Sequence, residues 1–123
     1  MAAADRRAAL TAGLEAYDRG DVFLAHELLE PAWMGTRDLA ERELIQGLIK
    51  LAAASVHAAR GNPAGVAKNL RGARERLAQA GAAGGRVGVD VDALLAAIDD
   101  RLSSRIEVTD PPIPIDRRDR RAR

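Results

Sequence analysis

The sequence has no cysteine, which removes disulfides, thiol catalysis and Cys-based zinc or iron–sulfur centres from consideration. Aromatic residues are nearly missing too: one Trp, one Tyr and one Phe in 123 residues. A core must therefore come from close helix–helix approach through small side chains, with Leu, Ile and Val filling the gaps. There is no excess of one charge either. A formal net charge of +1 gives no whole-molecule field to attract nucleic acid or an anionic membrane. No apolar run approaches the roughly 20 residues that span a bilayer, and residues 1–7 lack the apolar stretch of a signal peptide. The expectation is a single soluble domain in the cytoplasm.

What is present reads as helix. Hydrophobic residues make up 47 % of the chain, much of it alanine, and β-branched runs are scarce, so an all-α fold is expected. The first predicted helix covers residues 5–19, with Leu10, Gly13, Leu14 and Tyr17 at helical spacing; Gly20 stops it and Asp21 caps the next. The second covers residues 22–34, with Val22, Ala25, Leu29 and Ala32 on one stripe. Pro31 lies inside it, deletes the bond to the Glu27 carbonyl and predicts a kink. Asp38 followed by Glu41 reads as a capping box for a third helix over residues 39–59. With Leu44, Ile45, Leu48, Leu51 and Ala52 it is the most apolar segment and is expected at the centre. Gly61-Asn62-Pro63 ends it and opens a fourth helix to about residue 80.

Residues 81–88 read as a mobile glycine-rich connector, because Gly84-Gly85 lacks the strand–turn–helix setting of a phosphate loop. Asp90 caps a fifth helix over residues 91–104. Residues 1–105 are thus expected to form one compact bundle of about five helices, and residues 106–123 an extended or disordered tail rich in Pro and Arg. Ile113 and Ile115 are the groups that would tie part of it to the bundle. The arginines of residues 117–123 read as a disordered, solubilising end; without interleaved aromatics they make a poor nucleic-acid surface.

A weak repeat runs through this pattern. Shifting by 41 residues places Gly61-Asn62 on Gly20-Asp21, Val66 on Ala25, Leu70 on Leu29 and Ala73 on Ala32. Two helix–turn–helix pairs of tetratricopeptide-like character follow, too few for a free-standing solenoid.

The unusual residues are concentrated in Ala25-His26-Glu27-Leu28-Leu29-Glu30-Pro31-Ala32-Trp33. At about 100° per residue, His26, Glu30 and Trp33 share a narrow sector of the second helix. The third helix offers a polar line of Gln46, Lys50 and His57, and facing lines would make a cleft with Trp33 as a wall. One reading is a metal or acid–base site. His26, Glu27 and Glu30 are its catalytic candidates, and His26, Glu30 and His57 its metal ligands. Against it, His-Glu-x-x-Glu occurs once and is neither the di-iron Glu-x-x-His pattern nor the zincin His-Glu-x-x-His. A second reading is structural: His26 hydrogen-bonded to a carboxylate, Trp33 as a core anchor, His57 near the last carbonyls of its helix. A third is a binding cleft without chemistry, lined by His26, Glu30, Trp33, Gln46, Lys50 and His57.

Taken in order, Gly20-Asp21, Ala25-His26-Glu27-x-x-Glu30-x-x-Trp33, Ile45-Gln46-Gly47-Leu48-Ile49, His57 and Arg60-Gly61-Asn62-Pro63 resemble the domain of unknown function 309 (DUF309) family of small all-helical proteins. The resemblance covers residues 14–77 and marks His26, Glu27, Glu30, Trp33, Gln46 and Gly47 as family-pattern positions. It implies a compact helical bundle and no particular activity. Pro31 stands where a helix-compatible residue is usual, and Lys50 where glutamine is expected; a cation reaching Glu27 or Glu30 would favour their ionised forms. The expected function is a non-catalytic binding or interaction module around the His-Glu-x-x-Glu-x-x-Trp helix. The alternative is a small metal-dependent or acid–base hydrolase using the same residues. No cofactor is expected outside that alternative, which would take a divalent metal. A protein or small ligand is the expected partner, not nucleic acid or a membrane, and a homo-oligomer stays open.

Overall fold

The computed structural model describes residues 2–117. Six helices follow in order: α1 (Ala3–Asp18), α2 (Val22–Met34), α3 (Leu39–Ala59), α4 (Pro63–Ala78), α5 (Ala83–Arg86) and α6 (Val91–Leu102). Each expected cap closes its helix. Asp21 accepts from Leu24 N, Asp38 from Glu41 N, Asn62 from Gly65 N and Asp90 from Ala93 N. The Glu41 carboxylate does not complete a capping box; it pairs instead with Arg86 of α5 at 3.2 Å and Arg6 of α1 at 3.7 Å. Pro31 does not end α2, which continues to Met34 with Gly35 N donating to the Pro31 carbonyl.

The repeat is real at the level of the turns. Gly20 (φ 84°) and Gly61 (φ 70°) both occupy the left-handed region, which a side chain would strain. After each, the chain donates back across the helix end, Asp21 N to Ala16 O and Asn62 N to His57 O, both at 2.9 Å. The aligned positions Ala25 and Val66, Leu29 and Leu70, Ala32 and Ala73 are all buried. Small residues set the spacing within each pair. A β-carbon on Gly13 would lie 2.7 Å from Leu29 Cγ, and one on Gly47 2.7 Å from Leu77 Cγ and 3.3 Å from the Ala73 carbonyl. α1 packs on α2, α2 on α3, α3 on α4 and α4 on α6, so α3 lies centrally between the two hairpins. None of these helices, among the described residues, is long and apolar enough to cross a membrane.

One segment differs from expectation. In place of an open loop at residues 81–88, one helical turn (α5) packs on α3 with Ala83 and Gly84 buried. A β-carbon on Gly84 would sit 2.3 Å from Val91 Cγ2 and 2.9 Å from the Val89 carbonyl, so this glycine serves close packing. Beyond α6, residues 106–117 return across the bundle as a strap. Ile113 and Ile115 enter the core, the Tyr17 hydroxyl donates to the Ile113 carbonyl at 2.8 Å, and Asp90 N donates to the Asp116 carbonyl. Arg117, expected in a disordered end, pairs with Asp18 of α1 at 3.0 Å. The rest of that expected end, residues 118–123, lies outside the described residues. The strap thus joins the last helix to the first hairpin.

Two predictions follow from the packing. Gly47→Ala should lower unfolding free energy by about 1–2 kcal/mol, because the fully buried Leu77 has little room to retreat. Gly85→Ala, whose β-carbon meets nothing within 4 Å, should be neutral or stabilising by a few tenths of a kcal/mol; urea unfolding of both variants tests the contrast. The second concerns Tyr17. Burial pushes its hydroxyl up to about 12, partly opposed by a hydrogen bond with Ser55 and by the Arg101 charge. The folded chain therefore keeps this proton at a pH where the unfolded chain, near 10, has released it. Its contribution is complete below pH 10 and is lost as pH rises to about 12, amounting to roughly 3 kcal/mol. Tyr17 is the sole tyrosine, so ultraviolet titration reads it directly. Tyr17→Phe should lack this alkaline loss while costing about 1–2 kcal/mol at neutral pH through the orphaned Ile113 carbonyl.

Candidate functional site

The His-Glu-x-x-Glu-x-x-Trp segment occupies most of α2. Val22, Ala25, Leu29 and Ala32 are its buried stripe, and the chemistry-bearing residues lie to either side. His26 and Trp33 are half-buried, while Glu27 and Glu30 are exposed. Trp33 packs against the core and is covered by Arg42 of α3, whose guanidinium carbon stands 4.4 Å from the ring centroid. The same guanidinium donates to the Trp33 carbonyl at 3.1 Å and the Thr36 carbonyl at 2.9 Å, so Arg42 closes the C-terminal end of α2. Thr36, the one fully buried polar side chain among the described residues, donates to the Ala32 carbonyl at 2.7 Å and accepts from Arg6. Trp33 is thus an anchor of the α2–α3 corner, as the structural reading expected. Arg42 was missed; it sits in the opening turn of α3, and its sequence position carries no signal that it reaches back to the end of α2.

The expected cleft does not assemble from all its residues. The Lys50 side chain of α3 lies against α4, where a β-carbon on Gly72 would meet its Cδ at 2.8 Å. His57 also faces α4: a β-carbon on Gly65 would sit 2.4 Å from its Nδ1, and Asn62 Nδ2 stands 3.1 Å from that nitrogen. Because Asn62 Oδ1 already accepts from Gly65 N, the Asn62 amide nitrogen is the donor and His57 Nδ1 the acceptor. His57 therefore clamps the α3–α4 turn. The reason is the glycine seam: α4 approaches α3 so closely that this part of α3's polar line is covered by α4. Gln46 is half-buried on α3, and no side-chain hydrogen bond ties it to α2 among the described residues.

The metal reading loses its geometry for the same reason. Among the described residues, no three His, Asp or Glu side chains are grouped to hold an ion, so His26, Glu30 and His57 are not a ligand set. The carboxylate partner expected for His26 is not found either; among the described residues His26, Glu27 and Glu30 form no side-chain hydrogen bond or ion pair. What α2 presents is an outer stripe of Phe23, Glu27, Glu30 and Met34, at i, i+4, i+7 and i+11. Phe23 is 48 % exposed, with Arg60 5.9 Å over its ring, and Met34 is 67 % exposed. Glu27, Glu30, Pro31, Met34 and Gly35 line an open depression of about 510 Å³, and Leu39, 79 % exposed, begins the next helix.

Comparison with known families places this segment. Residues 10–69 match the family model described as "Domain of unknown function (DUF309)". The DUF309 match covers just under half of the chain. It runs from Leu10 in α1 to Asn69 in α4 and takes in His26, Glu27, Glu30, Trp33, Gln46 and Gly47, together with Arg42, Lys50 and His57. The α5 turn, α6 and the strap lie beyond the DUF309 match. No curated protein and no solved structure gives a significant match to the chain.

The Arg42 corner yields a direct test. Arg42→Ala should cost about 2 kcal/mol, from two charge-assisted hydrogen bonds and the ring contact, and should red-shift Trp33 fluorescence as water reaches the indole. Arg42→Lys keeps the charge without the planar fork and should fall between. Glu30→Gln, by contrast, should stay within about 0.5 kcal/mol of the parent.

Proposed function

We propose that this protein is a non-catalytic interaction module that receives a basic amphipathic segment of a partner protein on the outer face of α2. The observation that carries the reading is the stripe itself. Phe23 and Met34, two of the three large apolar side chains exposed among the described residues, bracket Glu27 and Glu30. Those carboxylates have no cation partner among the described residues. An open depression beside them buries little of a small molecule, whereas a helix laid along α2 meets anchors at every turn. Charge complementarity then selects a lysine- or arginine-bearing partner. Hydrolysis would ask for an orienting group on His26 and a converging ligand set, and neither supports it in this arrangement.

A fluorescent helical peptide of leucine and lysine serves as the probe, with anisotropy as the readout. The double variant Glu27→Lys/Glu30→Lys should weaken its binding by at least about tenfold, and Met34→Ser by a few-fold. An acidic peptide of the same pattern should not bind. Equal affinity of parent and double variant for the basic peptide, at physiological salt, would sink the proposal.

A further inference from the structure

Beneath the strap lies a second concavity, of about 220 Å³, bounded by the α1–α2 turn, α3, α4 and residues 106–113. Its α3 wall is mostly short side chains, Ala54, Ser55, Ala58 and Ala59, together with Leu51. Val66 of α4 and Ile106 and Ile113 of the strap supply further apolar lining. A cavity of about 150 Å³ lined by aliphatic side chains holds benzene, so this one has room for a ligand of about nine non-hydrogen atoms.

Two hydroxyls, those of Tyr17 and Ser55, lie in the lining, with Arg101, Glu107 and Asp110 as its charged members. The Tyr17 hydroxyl spends its proton on the Ile113 carbonyl, and Ser55 lines the same cavity beside it. The Ser55 hydroxyl oxygen carries lone pairs that can accept from a ligand. The charges at the rim largely cancel. Arg101 donates to the Pro111 carbonyl at 2.9 Å, Asp110 accepts from Glu107 N, and Glu107 pairs with Arg105 at 3.2 Å. No buried side-chain polar atom among the described residues lacks a partner, so no ion is needed to satisfy the site.

We infer that this cavity is a binding site for a compact, uncharged, mostly apolar molecule that donates one hydrogen bond, such as a small aromatic alcohol or phenol. Ser55 accepts that hydrogen bond, the apolar walls of α3 and α4 take the ring, and the strap forms the outer wall. The site is separate from the outer face of α2 and independent of the function proposed for that face.

Titration with 2-phenylethanol, followed by the methyl resonances of Ile106 and Ile113 in the full chain, tests it. The parent should show saturable shifts at both, with ethylbenzene (no donor) and benzoate (charged) each weaker by about tenfold. Ala58→Leu, which fills the cavity, should abolish the saturable shifts. Ser55→Ala should retain the ring site but bind 2-phenylethanol no better than ethylbenzene, which keeps the test decisive if Ala58→Leu does not fold. Absence of saturable shifts in the folded parent, tightest binding by benzoate, or undiminished preference for the alcohol in Ser55→Ala would each overturn the assignment.

Discussion

Leu77 of α4 fills the space that a β-carbon on Gly47 would need, and the close approach of α4 to α3 that results governs much of the molecule. With three aromatic side chains in the whole sequence, no bulky group is available to wedge helices apart and still fill the interior. Glycine and alanine bring the backbones together instead, at Gly13 against Leu29 in the first hairpin and at Gly47, Gly65 and Gly72 in the second. That closeness also decides the fate of polar residues. Lys50 and His57 lie against Gly72 and Gly65, so α4 takes the side chains that could have faced α2. The carboxylates of α2, Glu27 and Glu30, are left to the solvent side.

The same economy of side-chain volume leaves room elsewhere. Ala54, Ser55 and Ala58 let α3 sit at the centre of the array but cannot fill the distance to the strap. The strap holds its position through Ile113 and Ile115 in the core, the Tyr17 hydroxyl on the Ile113 carbonyl, and Arg117 on Asp18. A cavity therefore persists where two hairpins and an extended segment meet. Its strap wall comes from chain outside the DUF309 match, whereas Tyr17, Ser55, Ala58 and Val66 come from within it.

Local rules carried far in this sequence. Asp21, Asp38, Asn62 and Asp90 each satisfy the backbone N–H three residues on, a contact that needs nothing from the rest of the chain. Gly20 and Gly61 adopt left-handed φ values for the same local reason, which is why a 41-residue shift found matching turns. The limits show at residues that look alike in sequence. Gly84 and Gly85 are adjacent, yet a β-carbon on the first strikes Val91 and one on the second meets nothing. His26 and His57 both lie on helices beside apolar stripes. Among the described residues only the second acquires a hydrogen-bond partner, because Asn62 arrives with the turn that follows it.

The sequence alone determined the five longer helices, the caps that open four of them, the repeat of two hairpins and the central place of α3, because periodicity, caps and glycine stops act within a few residues. Tertiary structure alone decided which polar residues meet. Whether α3 turned Lys50 and His57 toward α2 or α4 depended on interhelical distance, set by the fit of Leu77 over Gly47. Arg42 found the end of α2 only once the α2–α3 corner was folded, and Ile113 reached Tyr17 only by crossing the bundle over 96 residues of separation. Sequence spacing reports neighbours along a helix; it carries no information about the distance between helices, on which the placement of a site depends.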